Sequence, residues 1–207
     1  MRNCFKLLSG LALLCQAQFL QSQYGQFIIP EFHYKMGTPS GDLSKRYGQH
    51  LGIGGSLGFQ PFNNSLCFGV GASYFFGNTL KEDVLTPFRT SFNGQLIGSD
   101  QYLAELKLRE RALLIQGFVS LLLPLFSQEH VQQGLRFQLG AGYLEHKIRF
   151  VDDARALPQF TSDFKKGLDR LCNGIALIPS ISYESLSRKG RLSYAAGIEA
   201  LFGFTES

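Results

Sequence analysis

Charged and titratable residues recur on one face of the alternating segments of this sequence, where they could form a polar site. They are Glu31, His33, Lys35, Arg136 and Glu199. Such residues could line a polar pathway through the protein. Because both signs of charge are present and isolated buried charges are costly, we expect them instead to pair with one another and to fill a narrow lumen.

A hydrolase-like pattern also occurs, in Gly54-Gly-Ser-Leu-Gly58. A nucleophile elbow needs a sharp strand-to-helix turn around its serine, whereas Ser56 lies in the middle of an alternating segment. Ser40, Asp42 and His50 supply the residue types of a Ser–His–acid set near a loop, but the sequence does not fix their geometry. We therefore predict that the protein is not an enzyme.

Metal and cofactor motifs are weak in this sequence. The four histidines lack metal-ligand spacing, Asp152-Asp153 is typical of a solvated turn, and the glycine-rich runs lie inside alternating segments rather than before a helix. No metal and no cofactor are predicted. Cys67 begins its strand near the periplasmic end of the predicted fold, whereas Cys172 begins its strand near the outer end. A disulfide requires Cα atoms within about 7 Å, so both are expected to be free, packed thiols.

The composition indicates a single β-rich domain. The chain has 207 residues, of which 44% are apolar and 17% charged, and its 23 glycines accompany 19 phenylalanines and 8 tyrosines. A net charge of +4 over this length is too small to indicate a nucleic-acid partner.

Strict alternation of bulky and small residues predicts seven strands. The segments are approximately 24–36, 50–60, 66–77, 102–122, 134–149, 169–184 and 190–204. One face carries Leu, Ile, Phe and Tyr, and the other mostly Gly, Ser, Ala and Gln, which suits the crowded interior of a small barrel better than a water-facing surface. The fold class predicted is all-β, an antiparallel up-and-down transmembrane β-barrel. An exported soluble barrel of the lipocalin type is the alternative.

In this prediction the bulky face contacts lipid. Tyrosines on that face are candidate anchors at the membrane interface. They are Tyr34, Tyr74, Tyr143, Tyr183 and Tyr194.

Connections of alternating length indicate an orientation. Short turns at 61–65 and 185–190 are expected on the periplasmic side, and long polar loops at 37–49, 77–101 and 151–166 on the outer side, with 124–134 of medium length. The fourth strand is too long for one crossing, so Glu105, Lys107, Arg109 and Arg111 are expected on a rim beyond the lipid. A β-bulge is expected near 111–113, where the alternation slips.

Seven strands do not close such a barrel, because about eight are expected and bacterial barrels have even numbers. We expect the eighth to be a C-terminal strand missing from the sequence. The alternative is that the segment before Tyr24, or the loop 77–101, supplies it.

Residues 1–17 have the features of a secretory signal peptide, which leaves 18–207 as the barrel domain. Arg2 and Lys6 precede the apolar residues 7–14, and Ala17 offers a small residue at a cleavage point. Residues 113–126 are too short, and interrupted by Pro124, for a membrane-spanning helix. The predicted localisation is the outer membrane.

Three stretches carry a resemblance to a known family. They are Tyr34-Lys-Met-Gly-Thr-Pro-Ser-Gly-Asp-Leu-Ser-Lys-Arg-Tyr-Gly48, His146-Lys-Ile-Arg149 and Asp163-Phe-Lys-Lys-Gly-Leu-Asp-Arg-Leu171. The chain resembles an uncharacterised family of outer-membrane β-barrel proteins of Bacteroidota-type bacteria. The resemblance covers most of the chain after the signal peptide and implies a location, an architecture and a further strand beyond Phe204, but no ligand or activity.

Three functions remain open at this point. The first is a closed structural or interaction barrel, embedded in outer-membrane lipid, whose loop from Gly77 to Gln101 docks a protein or a surface polymer. The apolar residues of that loop are Leu80, Val84, Leu85, Phe88 and Phe92. The alternatives are a conduit for a small solute or hydrophobic ligand and, third, a membrane-embedded lipid-modifying enzyme.

Overall fold

The computed structural model describes ten strands, one short α-helix and one 3-10 helix. Described residues are 6–19, 26–61, 65–89, 96–97, 103–104, 106–127, 131–152, 167–187 and 192–206. The strands are β1 (Lys6–Phe19), β2 (Gln26–Pro39), β3 (His50–Pro61), β4 (Leu66–Gly77), β5 (Leu96–Ile97), β6 (Leu103–Ala104), β7 (Lys107–Ser127), β8 (Val131–Val151), β9 (Cys172–Ser187) and β10 (Leu192–Glu206). The helices are α1 (Leu43–Arg46) and the 3-10 turn Thr86–Phe88. Among the described residues, no helix has the length and apolarity needed to cross a bilayer.

The strands form an antiparallel up-and-down β-barrel, which confirms the all-β barrel of the predicted fold class. Seven strands, β2, β3, β4, β7, β8, β9 and β10, pair in this order into a curled sheet, and β1 lies between β10 and β2 and closes it. Strand bounds leave short connections at one end of the barrel and long ones at the other, called here the short-turn end and the long-loop end. The connection predicted over 124–134 is much shorter in the structure, because β7 extends to Ser127 and β8 begins at Val131.

The eighth strand is Lys6–Phe19. It pairs with β10 from Lys6↔Thr205 to Phe19↔Leu192 and with β2 from Gly10↔Pro39 to Gln18↔Glu31. The segment before Tyr24 therefore occupies this position, while β5 and β6 of the loop 77–101 form a separate two-stranded sheet. Because the structure is that of the full sequence, it tests neither the signal peptide over 1–17 nor a further C-terminal strand, and both stay predictions.

Side chains divide between the two faces as the alternation predicted. Bulky apolar residues such as Phe32, Val70 and Leu139 point outward and are exposed, whereas the intervening Glu, Ser, His and Gly residues point into the barrel. The five tyrosines proposed as interfacial anchors are all among the exposed residues. This distribution is the reverse of a soluble sandwich, in which large apolar residues face the core.

The predicted bulge at 111–113 is wrong. The pairing of β7 with β4 and with β8 continues without a break through Arg111, Ala112 and Leu113. The outward residues of β7 change from cationic to apolar at this point, and the register stays the same. The register shift lies between Pro124 and Phe126 instead, because proline has no N–H to donate to the ladder.

Close approach of β7 and β8 requires a glycine at 142. A Cβ atom there would overlap the carbonyl oxygen of Ile115 and lie 2.7 Å from the Cα atom of Gln116. Both are backbone atoms held by strand pairing, so we expect Gly142→Val to lower the free energy of unfolding by about 1–3 kcal/mol. Urea titration in detergent micelles measures the change. Gly167→Val is the control, because nothing lies within 4 Å of its Cβ position; equal losses in the two variants would contradict the prediction.

Loops cover the long-loop end and pack into the barrel mouth. Leu43, Tyr47 and Leu85 are buried in one apolar cluster with interior residues of the barrel, among them Leu114 and Ile178. The two loops are joined by backbone hydrogen bonds, in which Gly48 N–H donates to Thr79 and Lys81 N–H donates to Arg46. We refer to this arrangement as the loop cap.

Candidate functional site: the charged interior of the barrel

Arg136 is the centre of the first interior charge cluster. The guanidinium donates from Nη1 to Glu31 Oε1 at 2.7 Å, and its Nε lies 2.7 Å from Glu184 Oε1. Ser56 donates to the second oxygen of Glu31 at 3.0 Å. All four side chains are buried, so strands β2, β3, β8 and β9 are joined across the lumen by charge-assisted hydrogen bonds.

A second ion pair joins Lys35 and Glu199. The Lys35 ammonium lies 2.7 and 2.9 Å from the two carboxylate oxygens of Glu199, and both residues are buried. The Nζ atom also lies 5.8 Å from the centroid of the Phe75 ring. The pair spans β2 and β10, on the side of the barrel where β1 lies between them.

His33 takes part in a separate contact. Its Nε2 atom lies 2.9 Å from the hydroxyl of Ser73 on β4, and both side chains are buried. The structure therefore brings the five predicted interior residues into the lumen, and places them in two ion pairs and one histidine–serine contact. All five side chains are buried.

A third cluster lies at the long-loop end, directly under the loop cap. His146 Nε2 is 2.9 Å from Glu110 Oε1, and His50 Nδ1 is 3.7 Å from the same oxygen. The ring of Tyr47 packs edge-on against His146, with ring centroids 4.2 Å apart. Burial raises the pKa of the Tyr47 hydroxyl, which therefore stays protonated.

Cys67 and Cys172 are free and buried, as predicted. No group of three His, Cys, Asp or Glu residues among those described could hold a metal ion.

Glu184, Glu110 and His146 are interior residues that the sequence prediction did not include. Glu184 follows Ser180 and Ser182 on the small face of β9, so the alternation itself could have identified it. Glu110 likewise alternates with Ala112 and Leu114 on β7. The contact between Glu110 and His146 depends on the pairing of β7 with β8, in which His146 lies opposite Ala112.

Fold and interior together define the class of the protein: an antiparallel β-barrel with a charged, side-chain-filled lumen and an apolar outer surface. Comparison with protein-family models, with curated proteins and with solved structures finds no match to this chain.

Proposed function

We propose that the protein is an outer-membrane β-barrel with a closed lumen, which acts as a structural or interaction barrel and presents its long loops outside the cell. The observation that carries the proposal is the inverted distribution of side chains: ion pairs are buried inside while large apolar residues are exposed outside. A soluble monomer rarely exposes an apolar patch of more than a few hundred Å².

The exposed apolar residues form a belt of the height that a bilayer requires. Outward-facing residues carry no charge over 28–36, 51–59, 68–76, 113–123, 135–143, 175–183 and 194–204. We call these runs the apolar belt. Each is about as long as the 9–11 residues that a tilted strand needs to cross the hydrocarbon core. Lipid is the solvent that suits this surface.

A closed lumen is supported by the side chains that cross it. Arg136 reaches carboxylates on two other strands, and Lys35 reaches β10. At the long-loop end Tyr47 and Leu85 are fully buried by the loop cap. An eight-stranded barrel has an interior just wide enough for its own side chains.

A partner on the loop from Gly77 to Gln101 remains part of the proposal, in a narrower form. Leu80, Val84 and Leu85 pack in or against the apolar cluster of the loop cap, so they are not free for a partner, whereas Phe88 is exposed. Phe92 lies outside the described residues. Among the described residues of this loop, Phe88 is therefore the exposed large apolar side chain that a protein or surface polymer would contact.

Two measurements test the membrane barrel. The protein refolded into phosphatidylcholine vesicles should resist SDS until boiled and then change its mobility in a gel. Identical mobility before and after boiling, together with failure to sediment with the vesicles, would count against insertion.

Conductance in planar bilayers separates the closed barrel from a transport barrel. We expect the inserted wild-type protein to show no steady ion conductance, because the ion pairs and the loop cap fill the lumen. Steady single-channel currents that persist after repurification would overturn the closed lumen and favour the conduit for small solutes.

A further inference from the structure

Cations lie opposite one another on the outer surface of β7 and β8. In the register of these strands Arg109 pairs with Arg149 and Arg111 with Lys147. All four side chains point outward, since the residues that alternate with them along the two strands are buried, namely Glu110, Ala112, His146 and Ile148. We call these four residues the cation ladder. They are Arg109, Arg111, Lys147 and Arg149.

The cation ladder is unfavourable for the barrel by itself. Like charges directly opposite each other on an antiparallel sheet repel and destabilise the pairing. Lys147 has a partial compensation, because its Nζ lies 2.9 Å from Glu145. Arg111 donates to the backbone carbonyl of Glu110. Among the residues that the structure describes, Arg109 and Arg149 have no carboxylate partner.

The cation ladder also lies at a defined height. Leu113 is the next outward residue after Arg111 on β7 and belongs to the apolar belt, so Arg111 is one outward position, about 7 Å, beyond the edge of the belt. On β8 the belt ends at Tyr143, and Glu145 is the outward residue between it and Lys147. Lipid phosphates occupy this height in a bilayer whose hydrocarbon is in contact with the belt. Tyr74, an exposed aromatic of the neighbouring strand β4, pairs with Leu113 at the same edge.

A groove lies where the cation ladder meets the apolar belt. It has a volume of about 520 Å³, and Tyr74 and Leu113 line it together with Arg111, Lys147 and Arg149. Glu145 and Asp169 also line the groove, so three cations face two carboxylates there and Arg109 adds a fourth cation beside it. The groove and its surroundings carry a net positive charge, so the group that would neutralise it is negative. The surface beside the groove is apolar.

From the repulsive pairs, their height and the groove, we infer that the cation ladder binds the phosphate groups of a phosphorylated lipid in the leaflet that meets the long-loop end. The inference rests on the proposed membrane barrel and adds a lipid ligand to it. Guanidinium groups suit this ligand, because they bind phosphate oxygens in bidentate fashion. The acyl chains of the lipid would lie against the apolar belt below Leu113.

The test measures lipid binding by native mass spectrometry of the full chain in a neutral detergent. The probes are bisphosphorylated lipid A, the same lipid without phosphates, and inorganic phosphate. The quadruple variant replaces Arg109, Arg111, Lys147 and Arg149 by Gln. We expect it to bind bisphosphorylated lipid A at least about tenfold more weakly than the wild type, because charge-assisted hydrogen bonds are lost.

The control variant removes two cations from the loop cap at the same end of the barrel, Lys45→Gln with Lys81→Gln. It should bind like the wild type. Equal affinity of the quadruple variant and the control, or equal binding of the lipid without phosphates, would overturn the inference. If inorganic phosphate saturates the cation ladder at millimolar concentration and the protein shows no preference for the lipid, the ligand is free phosphate and the assignment to a lipid is wrong.

Failure of this inference is distinguishable from failure of the proposed function. If the wild-type protein does not insert into phosphatidylcholine vesicles, the membrane barrel itself is wrong and the lipid site falls with it. If it inserts but shows no preference for phosphorylated lipid, only the inference is wrong. Stability gives a second readout: without anionic lipid, the quadruple variant should be at least as stable as the wild type, because the repulsion is removed.

Discussion

Replacing Arg136 by Met should lower the free energy of unfolding by about 3–5 kcal/mol, the usual cost of removing one partner from a buried ion pair. The guanidinium holds Glu31 and Glu184, at 2.7 Å each, inside the barrel. Without it, two buried carboxylates are left with no cation between them. Urea titration in vesicles of neutral lipid, followed by the gel mobility of the folded barrel, measures the loss.

Two further variants show that the loss comes from uncompensated charge. Arg149→Met makes the same chemical change on the same strand at an exposed outward position, and should shift the stability by no more than about 0.5 kcal/mol. The triple variant Arg136→Met, Glu31→Gln, Glu184→Gln removes the carboxylate charges as well and should regain most of the loss. A decrease below about 1 kcal/mol for Arg136→Met would mean that water or another group replaces the cation, and that the lumen is not closed at this level.

The sequence was sufficient to predict seven of the eight barrel strands because each of the seven alternates between two unlike environments. Gly, Ser and charged residues recur at every second position, and this pattern assigns Glu31, Lys35 and Glu199 to one face without any knowledge of the fold. The exposed fractions confirm that face assignment for β2 and β10.

Pairing across the lumen could not be predicted in the same way. Arg136 and Glu31 are 105 positions apart in the chain, so their contact depends on the combined register of the strands between them. Several carboxylates share the interior face, and alternation gives no information on which of them meets which cation. The contact of Glu110 with His146 could not be predicted for the same reason.

The loop cap shows a second limit of sequence reasoning. Leu85 lies in a polar loop, where an apolar residue suggested a docking surface, yet it is fully buried against the barrel. Loop residues have no periodicity that reports which side they face. Tyr47 was likewise part of a family-like motif without an assigned place, and its ring packs edge-on against His146 beneath the loop cap.

Arginine placed in the middle of the apolar belt should separate a membrane barrel from a soluble one. Val70 and Leu139 are exposed to 62% and 60% and lie near the centre of their runs. At the midplane of a bilayer an arginine costs about 2–4 kcal/mol, whereas an exposed position on a soluble surface tolerates it within about 0.5 kcal/mol. We therefore expect Val70→Arg and Leu139→Arg each to lose about 2–4 kcal/mol in phosphatidylcholine vesicles.

Phe88→Arg is the matched control for this comparison, because Phe88 is also an exposed apolar residue but lies on a loop of the long-loop end. Its stability should change by no more than about 0.5 kcal/mol. Leu139→Gln removes the same apolar side chain without adding charge, so it separates the cost of charge from that of lost contact area. If Leu139→Arg loses no more than Phe88→Arg, the outer surface is not solvated by acyl chains, and the buried charges would then belong to a barrel that works outside the bilayer.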